Sequence, residues 1–395
     1  MTVCAAPVFL VFLAAPEFVM SAFGSEFAGG AATLQILSIG QFVNVAAGSV
    51  GILLVMIGHE QEYRNVQVIA AESRNVLISG AQEIIRLTRM LVYITGRGHS
   101  GSTVLDALLG CAPHVVGVGE LNSGWRRYEA ECSCGETIRR CAFWRRVRSE
   151  FETFADKSWD EAGYHSQYQS HIFRYVSTLL STPKSDSVIG LRAITEHAIA
   201  AIKEVSKASI VVDSSKETTR ALFIARFVPE ARLIHLVRRP DAVIASHMKR
   251  IREGSGFKFL RRSYKQRWLE PVFLTVVAIS WLVGNMLAAI ACRYAPGRCI
   301  RVRYEDLCSD PRSELEKIGG FLGIDMETVI AAVESGQSLP IGHKIAGNRM
   351  RNSSAFTFQP TKAHSRPVPA YYRLAARMMG WPLTWRYGYF GRDST

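Results

Sequence analysis

Basic residues are missing from the start of this 395-residue chain, because no Lys or Arg precedes Arg64 although four acidic residues do. From residue 64 onward, 47 Lys and Arg stand against 30 Asp and Glu, which gives a net charge of +17. A part of the chain with this much positive charge favours an anionic ligand, an anionic membrane surface or nucleic acid. The basic clusters 126–148 and 249–267 lack the motifs and regular aromatic spacing of nucleic-acid-binding proteins, so we expect no nucleic-acid partner.

Cysteines are also few for the length of the chain. Eight cysteines in a chain of this length are not a disulfide framework, and no basic n-region of a secretory signal precedes the first apolar run. We therefore expect a reducing, cytoplasmic setting. Cys132, Cys134 and Cys141 resemble part of a zinc site, but structural zinc takes four ligands, usually from paired Cys-x-x-Cys motifs. The sequence thus favours free or locally paired thiols here and predicts no metal.

Charged residues are absent between residues 27 and 59, and the apolar run 31–57 exceeds the roughly 20 residues that span a bilayer. An earlier apolar run, 3–23, is interrupted by prolines. Together these runs predict either a membrane hairpin or a buried helical pair. Arg64 follows the second run directly, which by the positive-inside tendency keeps the rest of the chain in the cytoplasm.

Three short segments of this N-terminal part resemble a late transmembrane stretch of polysaccharide flippases of the oligosaccharide-exporter type. They are Ala22–Ala28, Leu34–Asn44 and Met56–Glu60. The resemblance is too short to supply a transport pathway, which needs many membrane spans. We predict an apolar helical segment at 1–63, a linker helix at 64–89 and a separate domain at 90–395. A further uncharged run, 271–292, contains Trp281 and Asn285 and is predicted to be a core helix.

After residue 90 the pattern changes to apolar strands that alternate with helices. Short β-rich runs occur at 90–95, 209–213, 232–237 and 299–304, each followed by a turn and a helical pattern. Strands that are apolar throughout are typical of parallel sheets covered on both faces. The sequence therefore predicts an α/β fold with a three-layer, P-loop-like parallel sheet.

The first of these strands leads into Gly96-Arg-Gly-His-Ser-Gly-Ser-Thr103, which nearly fits the phosphate loop G-x-x-x-x-G-K-[ST]. Ser102 occupies the position of the lysine that a nucleoside triphosphatase needs. Arg97 and His99 supply cations earlier in the loop. A Gly-rich turn at a helix N-terminus still binds an anion, so we expect this loop to hold one phosphate group without a metal.

A second phosphate site is predicted where the strand 232–237 ends. Arg238 follows that strand, and Ser246 lies about two turns along the next helix, which begins at Pro240. A guanidinium and a hydroxyl together suit a separate phosphate. Two such sites at one sheet edge indicate a nucleotide that carries phosphates on different carbons.

In their order along the chain, these motifs resemble those of bacterial sulfotransferases that use 3′-phosphoadenylyl sulfate (PAPS). The segments are Gly96–Leu109, Val212–Lys216, Arg238–Ser246, Arg303–Leu307 and Gly347–Arg351. The resemblance implies that the first loop binds the 5′-phosphosulfate, that Arg238 and Ser246 bind the 3′-phosphate, and that Arg349 and Arg351 close over the nucleotide. The loop residues concerned are Arg97, Gly98, His99, Ser100, Gly101, Ser102 and Thr103.

The resemblance implies transfer of a sulfuryl group to an acceptor hydroxyl, and it leaves two roles open. Many members have Lys or Arg where this chain has His99, so either His99 or Arg97 stabilises the leaving phosphate. Glu120, after a short strand, is the candidate base, with His114 as the alternative. Lys216 is a candidate cation at the edge of the site, and a surface salt bridge is its alternative.

Combining the two halves, we expect a PAPS-dependent sulfotransferase at the cytoplasmic face of the membrane that acts on a carbohydrate or glycolipid hydroxyl. The rival enzyme is a metal-dependent P-loop kinase, which the missing lysine disfavours. The rival from another class is a fragment of a polysaccharide transporter, which the short N-terminal match disfavours.

Overall fold

The strand β1 (Met90–Thr95) is an uninterrupted apolar run, and all six of its residues are buried. Four further strands join it: β2 (Val115–Gly119), β3 (Ile210–Lys216), β4 (Arg232–Val237) and β5 (Cys299–Arg303). They form one sheet of order β2-β3-β1-β4-β5, in which every described pairing is parallel. Because β1 lies at the centre and is covered on both faces, it has no polar side to turn to solvent.

These features come from a computed structural model. It describes residues 12–21, 34–35, 38, 90–124, 129–155, 157–167, 173–252, 270–347, 353–359 and 368–389. The contacts divide the chain into two units, Met1–Ile84 and Ile85–Thr395. The first contains the helix α1 (Pro16–Ser21). Most of the predicted apolar segment 1–63 and all of the predicted linker helix 64–89 lie outside the described residues.

Helices alternate with the strands of the sheet, as the sequence predicts. After β1 come α2 (Ser102–Leu109), α3 (Leu121–Gly124), α4 (Ala142–Phe154), α5 (Trp159–Gln167), α6 (Phe173–Leu180) and α7 (Asp186–Ser206). After β3 come α8 (Thr218–Phe227), α9 (Pro240–Arg252), α10 (Glu270–Arg293), α11 (Tyr304–Ser309), α12 (Pro311–Leu322), α13 (Glu327–Glu334) and α14 (Ala370–Arg386).

Two hydrophobic clusters cover the two faces of the sheet. Successive side chains of a strand point to opposite faces, so Tyr93 packs in one cluster with Trp144 of α4, and Val92 packs in the other with Leu105 of α2. The prediction of a three-layer α/β fold is confirmed. Its parallel arrangement places the carboxyl ends of β1, β2, β3 and β4 at a single edge.

The helix α10 corresponds to the second uncharged run. By length and composition it is the one helix among the described residues that could cross a membrane, with a mean hydropathy of 2.0 over its most apolar window. Its polar groups are nevertheless satisfied within the protein: Trp281 Nε1 donates to Arg238 O at 3.0 Å, and buried Asn285 hydrogen-bonds His235 Nε2 at 3.1 Å. These contacts support the interpretation as a core helix.

The domain also contains a two-stranded antiparallel sheet and a disulfide. The strands β6 (Ser338–Pro340) and β7 (Ala355–Thr357) form an antiparallel pair. A disulfide joins Cys292 in the last turn of α10 to Cys299 at the start of β5, and the other cysteines of the described residues are free thiols. The β6–β7 pair flanks the segment that leads to the predicted basic loop.

Candidate active site

The loop between β1 and α2 has a backbone path that only glycine permits at two positions. Gly96 has φ +142°, and a Cβ there would lie 2.3 Å from the Leu236 carbonyl oxygen. Gly101 has φ +93°, and its Cβ would lie 2.2 Å from the ring of Tyr304. Because the chain passes so close to β4 and α11, the loop turns sharply. The free N–H groups at the start of α2 then face the same space as the loop.

Arg238, at the end of β4, lies against this loop. Its Nη1 donates to the backbone oxygen of His99 at 3.1 Å. Ser246 of α9 lies there as well, because its Oγ is 2.9 Å from His99 Nδ1. The adjacency of β1 and β4 therefore joins two motifs that are far apart along the chain, and His99 contacts both members of the predicted second phosphate site.

The electrostatics of the loop favour an anion. Burial lowers the pKa of His99 to about 3, with smaller contributions from neighbouring His247 and the cations Arg250, Lys216 and Arg97. The imidazole is therefore neutral near pH 7 without a ligand, and a bound anion would favour its protonated form. Its φ of +70° is a left-handed conformation, which is costly for a residue with a Cβ and is often found at functional sites.

Three buried polar atoms around the loop have no hydrogen-bond partner among the described residues: Arg97 Nε, Ser100 Oγ and His247 Nε2. Burial lowers the pKa of Arg97, and burial followed by the charge of Arg97 lowers that of His247 to about 4. Buried polar groups are nearly always paired, so unpaired ones beside an electropositive loop fit an anionic ligand that completes them.

Tyr304 belongs to this site, although the sequence did not single it out. Its ring lies against Gly101, and the guanidinium of Arg238 is 4.7 Å from the ring centroid. An arginine over an aromatic face loses much of its rotational freedom. The motif Arg303–Leu307 contains Tyr304, but nothing in that motif predicts a contact with a loop in so distant a part of the sequence.

Glu120 follows β2 at the same sheet edge, as predicted. Its N–H donates to Ile345 O at 2.7 Å, and its carboxylate accepts from Lys216 Nζ in a half-buried ion pair at the end of β3. Lys216 also lies within the electrostatic reach of His99. The sequence left a surface salt bridge open for Lys216; the structure gives it an ion pair with the candidate base.

His114 lies at the opposite edge of the sheet. It directly precedes β2, and its carbonyl accepts from Ser209 N just before β3. Both positions are at the amino ends of the strands, whereas the Gly96 loop is at the carboxyl ends. The structure therefore does not bring the alternative base His114 to the loop, because the parallel strand direction places the two at opposite ends of the strands.

A second carboxyl group, Glu217, was missed from the sequence. It occupies the N-cap position of α8 next to Lys216, and Asn122 Nδ2 donates to its carboxylate. Burial raises the pKa of Glu217 to about 7, against the opposing charge of Arg220. A carboxyl group poised near neutrality beside Glu120 is a second candidate for proton transfer.

Arg349 and Arg351, the predicted closing residues, lie outside the described residues. The segment that leads to them is described up to Gly347, where φ is +106°. A Cβ at Gly347 would lie 3.0 Å from Thr103 Oγ1, so the chain passes directly over the start of α2.

Comparison with known proteins decides the family. The model of the sulfotransferase family matches residues 92–328, well over half of the chain. The chain belongs to the sulfotransferase family. No curated protein matches this sulfotransferase. The match begins at Val92, and no comparison supports the predicted resemblance of residues 1–63 to a polysaccharide flippase.

Solved sulfotransferase structures resemble the chain distantly. The sulfotransferase domain of an olefin synthase from Synechococcus has 19% identity and a TM-score of 0.37, and the match covers 75% of this chain and 94% of that one. A sulfotransferase from Mycobacterium avium has 14% identity and a TM-score of 0.39, with 81% of each chain covered. Likenesses at this level carry no argument about the reaction.

The sulfotransferase also contains a buried ion pair behind the site. Lys344 Nζ donates to the Asp106 carboxylate of α2 and to Gly117 O at 3.1 Å, and Asp106 Oδ2 accepts from Gly119 N at 3.0 Å. Both charged side chains are almost fully buried. This pair ties α2 to the end of β2 and so positions the residue before Glu120.

One group of side chains in the sulfotransferase has the composition of a metal site. Among the described residues, the cysteines Cys132, Cys134 and Cys141 are joined by His343, and their ligand atoms all lie within 4.8 Å of one another. The prediction of no metal considered only three ligands. The fourth comes from a distant segment of the chain, and no local spacing reveals it.

Proposed function

We propose that this sulfotransferase transfers a sulfuryl group from PAPS to an acceptor hydroxyl on a carbohydrate or glycolipid. The observation that carries the proposal is the junction at His99, where the Gly-rich loop, Arg238 and Ser246 meet. One anion site at a helix start and a second one formed by a guanidinium and a hydroxyl suit a nucleotide with a 5′-phosphosulfate and a 3′-phosphate.

The residues of the loop fit the donor on chemical grounds. Arg97 Nε and Ser100 Oγ are buried donors without a partner among the described residues, and the donor's phosphosulfate would complete them. PAPS supplies the activated sulfuryl group. The loop and Arg238 would fix the nucleotide and hold positive charge near the oxygen that bridges its phosphate and sulfuryl groups.

The reaction is a displacement in which the acceptor oxygen forms a bond to sulfur while the bond from sulfur to the 5′-phosphate oxygen breaks. The acceptor proton passes to a base, for which Glu120 is our first assignment and Glu217 the second. Lys216 holds the Glu120 carboxylate from one side. Arg97 is the first assignment for charge at the leaving oxygen, because a guanidinium is cationic whereas burial lowers the pKa of His99 to about 3.

Charge and hydropathy support the proposed acceptor and location. A net charge of +17 from residue 64 onward favours an anionic glycan or a lipid headgroup. The uncharged stretch 27–59 would hold the enzyme at the cytoplasmic face of the membrane. Deletion of residues 1–89 tests this part of the proposal: loss of activity on a lipid-linked acceptor alone would support it, and unchanged activity on free and lipid-linked acceptors would refute it.

A ligand-binding experiment tests the nucleotide. Adenosine 3′,5′-bisphosphate should raise the melting temperature of the full chain, whereas ATP with Mg²⁺ should not. The same protein is then incubated with radiolabelled PAPS and a panel of glycan and glycolipid acceptors. Stabilisation by ATP–Mg²⁺ but not by the bisphosphate would favour the kinase alternative.

A further inference from the structure

The loop before α4 and the segment after β6 meet at a cluster of four potential metal ligands. Cys134 Sγ is 3.6 Å from Cys141 Sγ, and His343 Nδ1 is 3.4 Å from Cys141 Sγ and 3.8 Å from Cys132 Sγ. Cys132 and Cys141 are buried, Cys134 is exposed, and His343 is partly buried. Four ligand atoms therefore surround one small space below the surface.

Three of these separations match the edges of a tetrahedral zinc site. With bonds of about 2.3 Å to sulfur and about 2.0 Å to nitrogen, the edges of the tetrahedron are about 3.8 Å between sulfurs and about 3.5 Å between sulfur and nitrogen. Three of the six distances, at 3.4–3.8 Å, lie close to these values, and all six are within 4.8 Å. We propose that Cys132, Cys134, Cys141 and His343 bind one Zn²⁺ ion.

Backbone and ring contacts prepare this arrangement. Gly135 N donates to Cys132 O at 3.0 Å, and Gly135 has φ +89°, which turns the chain sharply after Cys134. Cys141 directly precedes α4, so the start of that helix fixes the position of its side chain. The ring of Phe143 stacks on His343 with 5.0 Å between centroids and an interplanar angle of 3°. That stacking fixes the plane of the imidazole, as the neighbours of metal-bound histidines generally do.

The two ligand-bearing segments are held together independently of a metal. Ser133 Oγ accepts from Lys344 N at 2.7 Å and donates to the Gly342 carbonyl. Cys132 also forms an isolated β-bridge with Ile345. His343 therefore faces the cysteine loop in a defined register, and a metal ion would not have to bring the segments together.

Zinc fits this donor set better than the alternatives. A disulfide between Cys134 and Cys141 would use two of the four groups and leave Cys132 and His343 without a role. Three thiolates and one imidazole are a common structural zinc set, whereas Mg²⁺ and Ca²⁺ prefer oxygen ligands. With all four positions taken by protein, the ion has a structural role and no open position for a substrate.

The site would stabilise a segment next to the active site. Ile345, two residues after His343, accepts the N–H of Glu120 and forms an isolated bridge with Gly119. Lys344, which lies between His343 and Ile345 in the sequence, forms an ion pair with Asp106. A zinc ion on His343 would therefore fix the strand-like segment that positions Glu120.

Metal analysis of the full chain tests the proposal. The protein is expressed with added zinc, purified under reducing conditions without a nickel column, and assayed for zinc by mass spectrometry. The parent should contain about one zinc per chain, and Cys134→Ser and Cys141→Ser should fall below about a tenth of that. Cys111→Ser is the matched control, because Cys111 is a free thiol outside the cluster, and it should keep its zinc.

Two further measurements guard against variants that fail to fold. His343→Cys supplies a fourth thiolate and should keep zinc, whereas His343→Ala should lose it. The parent loaded with Co²⁺ should show the thiolate charge-transfer band and the intense visible bands of tetrahedral cobalt. Any of three results would overturn the proposal. They are a parent protein that contains no zinc and has free thiols, a parent with a Cys134–Cys141 disulfide instead of a bound metal, and undiminished zinc in both serine variants.

Discussion

Lys344→Met isolates the buried ion pair behind the active site. In the parent, Lys344 Nζ contacts the Asp106 carboxylate and Gly117 O, and the side chains of the ion pair are 1% and 0% exposed. Methionine fills a similar volume but leaves the Asp106 carboxylate buried, with the Gly119 N–H as its remaining described donor. Breaking a buried pair by removing one partner costs about 3–5 kcal/mol, because the other charge stays uncompensated. We expect a loss of stability of that size.

The assay is urea unfolding of the full chain, followed by tryptophan fluorescence. Lys317→Met is the matched control, since Lys317 pairs with Glu314 at the surface and is 48% exposed; its loss should cost less than about 1 kcal/mol. Asp106→Asn combined with Lys344→Met removes both charges and should recover part of the stability. A Lys344→Met protein within about 1 kcal/mol of the parent would refute the reasoning.

The remaining predictions concern ligand binding, turnover and pH. Ser246→Ala and Arg238→Ala should each weaken the binding of adenosine 3′,5′-bisphosphate by about 1.5–3 kcal/mol in titration calorimetry, because each removes a proposed hydrogen bond to the 3′-phosphate. Glu120→Gln should lower turnover by roughly 10²–10⁴ while bisphosphate affinity stays unchanged. Burial lowers the pKa of His235 to about 4, below its value of about 6.5 in the unfolded chain. The unfolded state therefore takes up a proton first on acidification, and the free energy of unfolding should fall between pH 6.5 and 4 by about 1.4 kcal/mol per pH unit from this residue, a contribution that His235→Gln removes.

Each of these predictions has an outcome that contradicts it. If Ser246→Ala and Arg238→Ala bound the bisphosphate as tightly as the parent, the assignment of these two residues to the 3′-phosphate would be wrong. Full turnover in Glu120→Gln would move the base to Glu217, which Glu217→Gln then tests. An equal pH dependence of unfolding in the parent and in His235→Gln would mean that the imidazole is not buried in its neutral form.

The architecture of the domain was largely predictable. Buried parallel strands are indicated by apolar runs such as 90–95 and 232–237 that are followed by Gly- or Pro-containing turns. These signals can be read from the sequence because the hydrophobic periodicity and the turn residues are local properties of the chain. Gly96 and Gly101 were readable as a phosphate loop for the same reason. Arg238 and Ser246 could be assigned to one site because helix spacing relates them and the strand end places them at the sheet edge.

Contacts between distant segments were not predictable. Glu120 and His114 both flank β2, and only the parallel order of the sheet shows that one lies at the edge of the loop and the other at the opposite edge. Burial decided the pKa values: the sequence supplied His99 as a cation and gave no sign that Glu217 titrates near neutrality.

The amino-acid sequence by itself determined the alternation of strands and helices, the Gly-rich loop and its missing lysine, and the motifs of the sulfotransferase family. Tertiary structure alone placed His343 against three cysteines and Lys344 against Asp106, in each case between segments that are far apart along the chain. Local sequence patterns predict helices and turns because the hydrogen bonds of these elements form between residues that are close along the chain. The contacts of His343 and Lys344 instead depend on which strands become neighbours in the sheet. The effect of burial on the charged state of a side chain depends on the same packing.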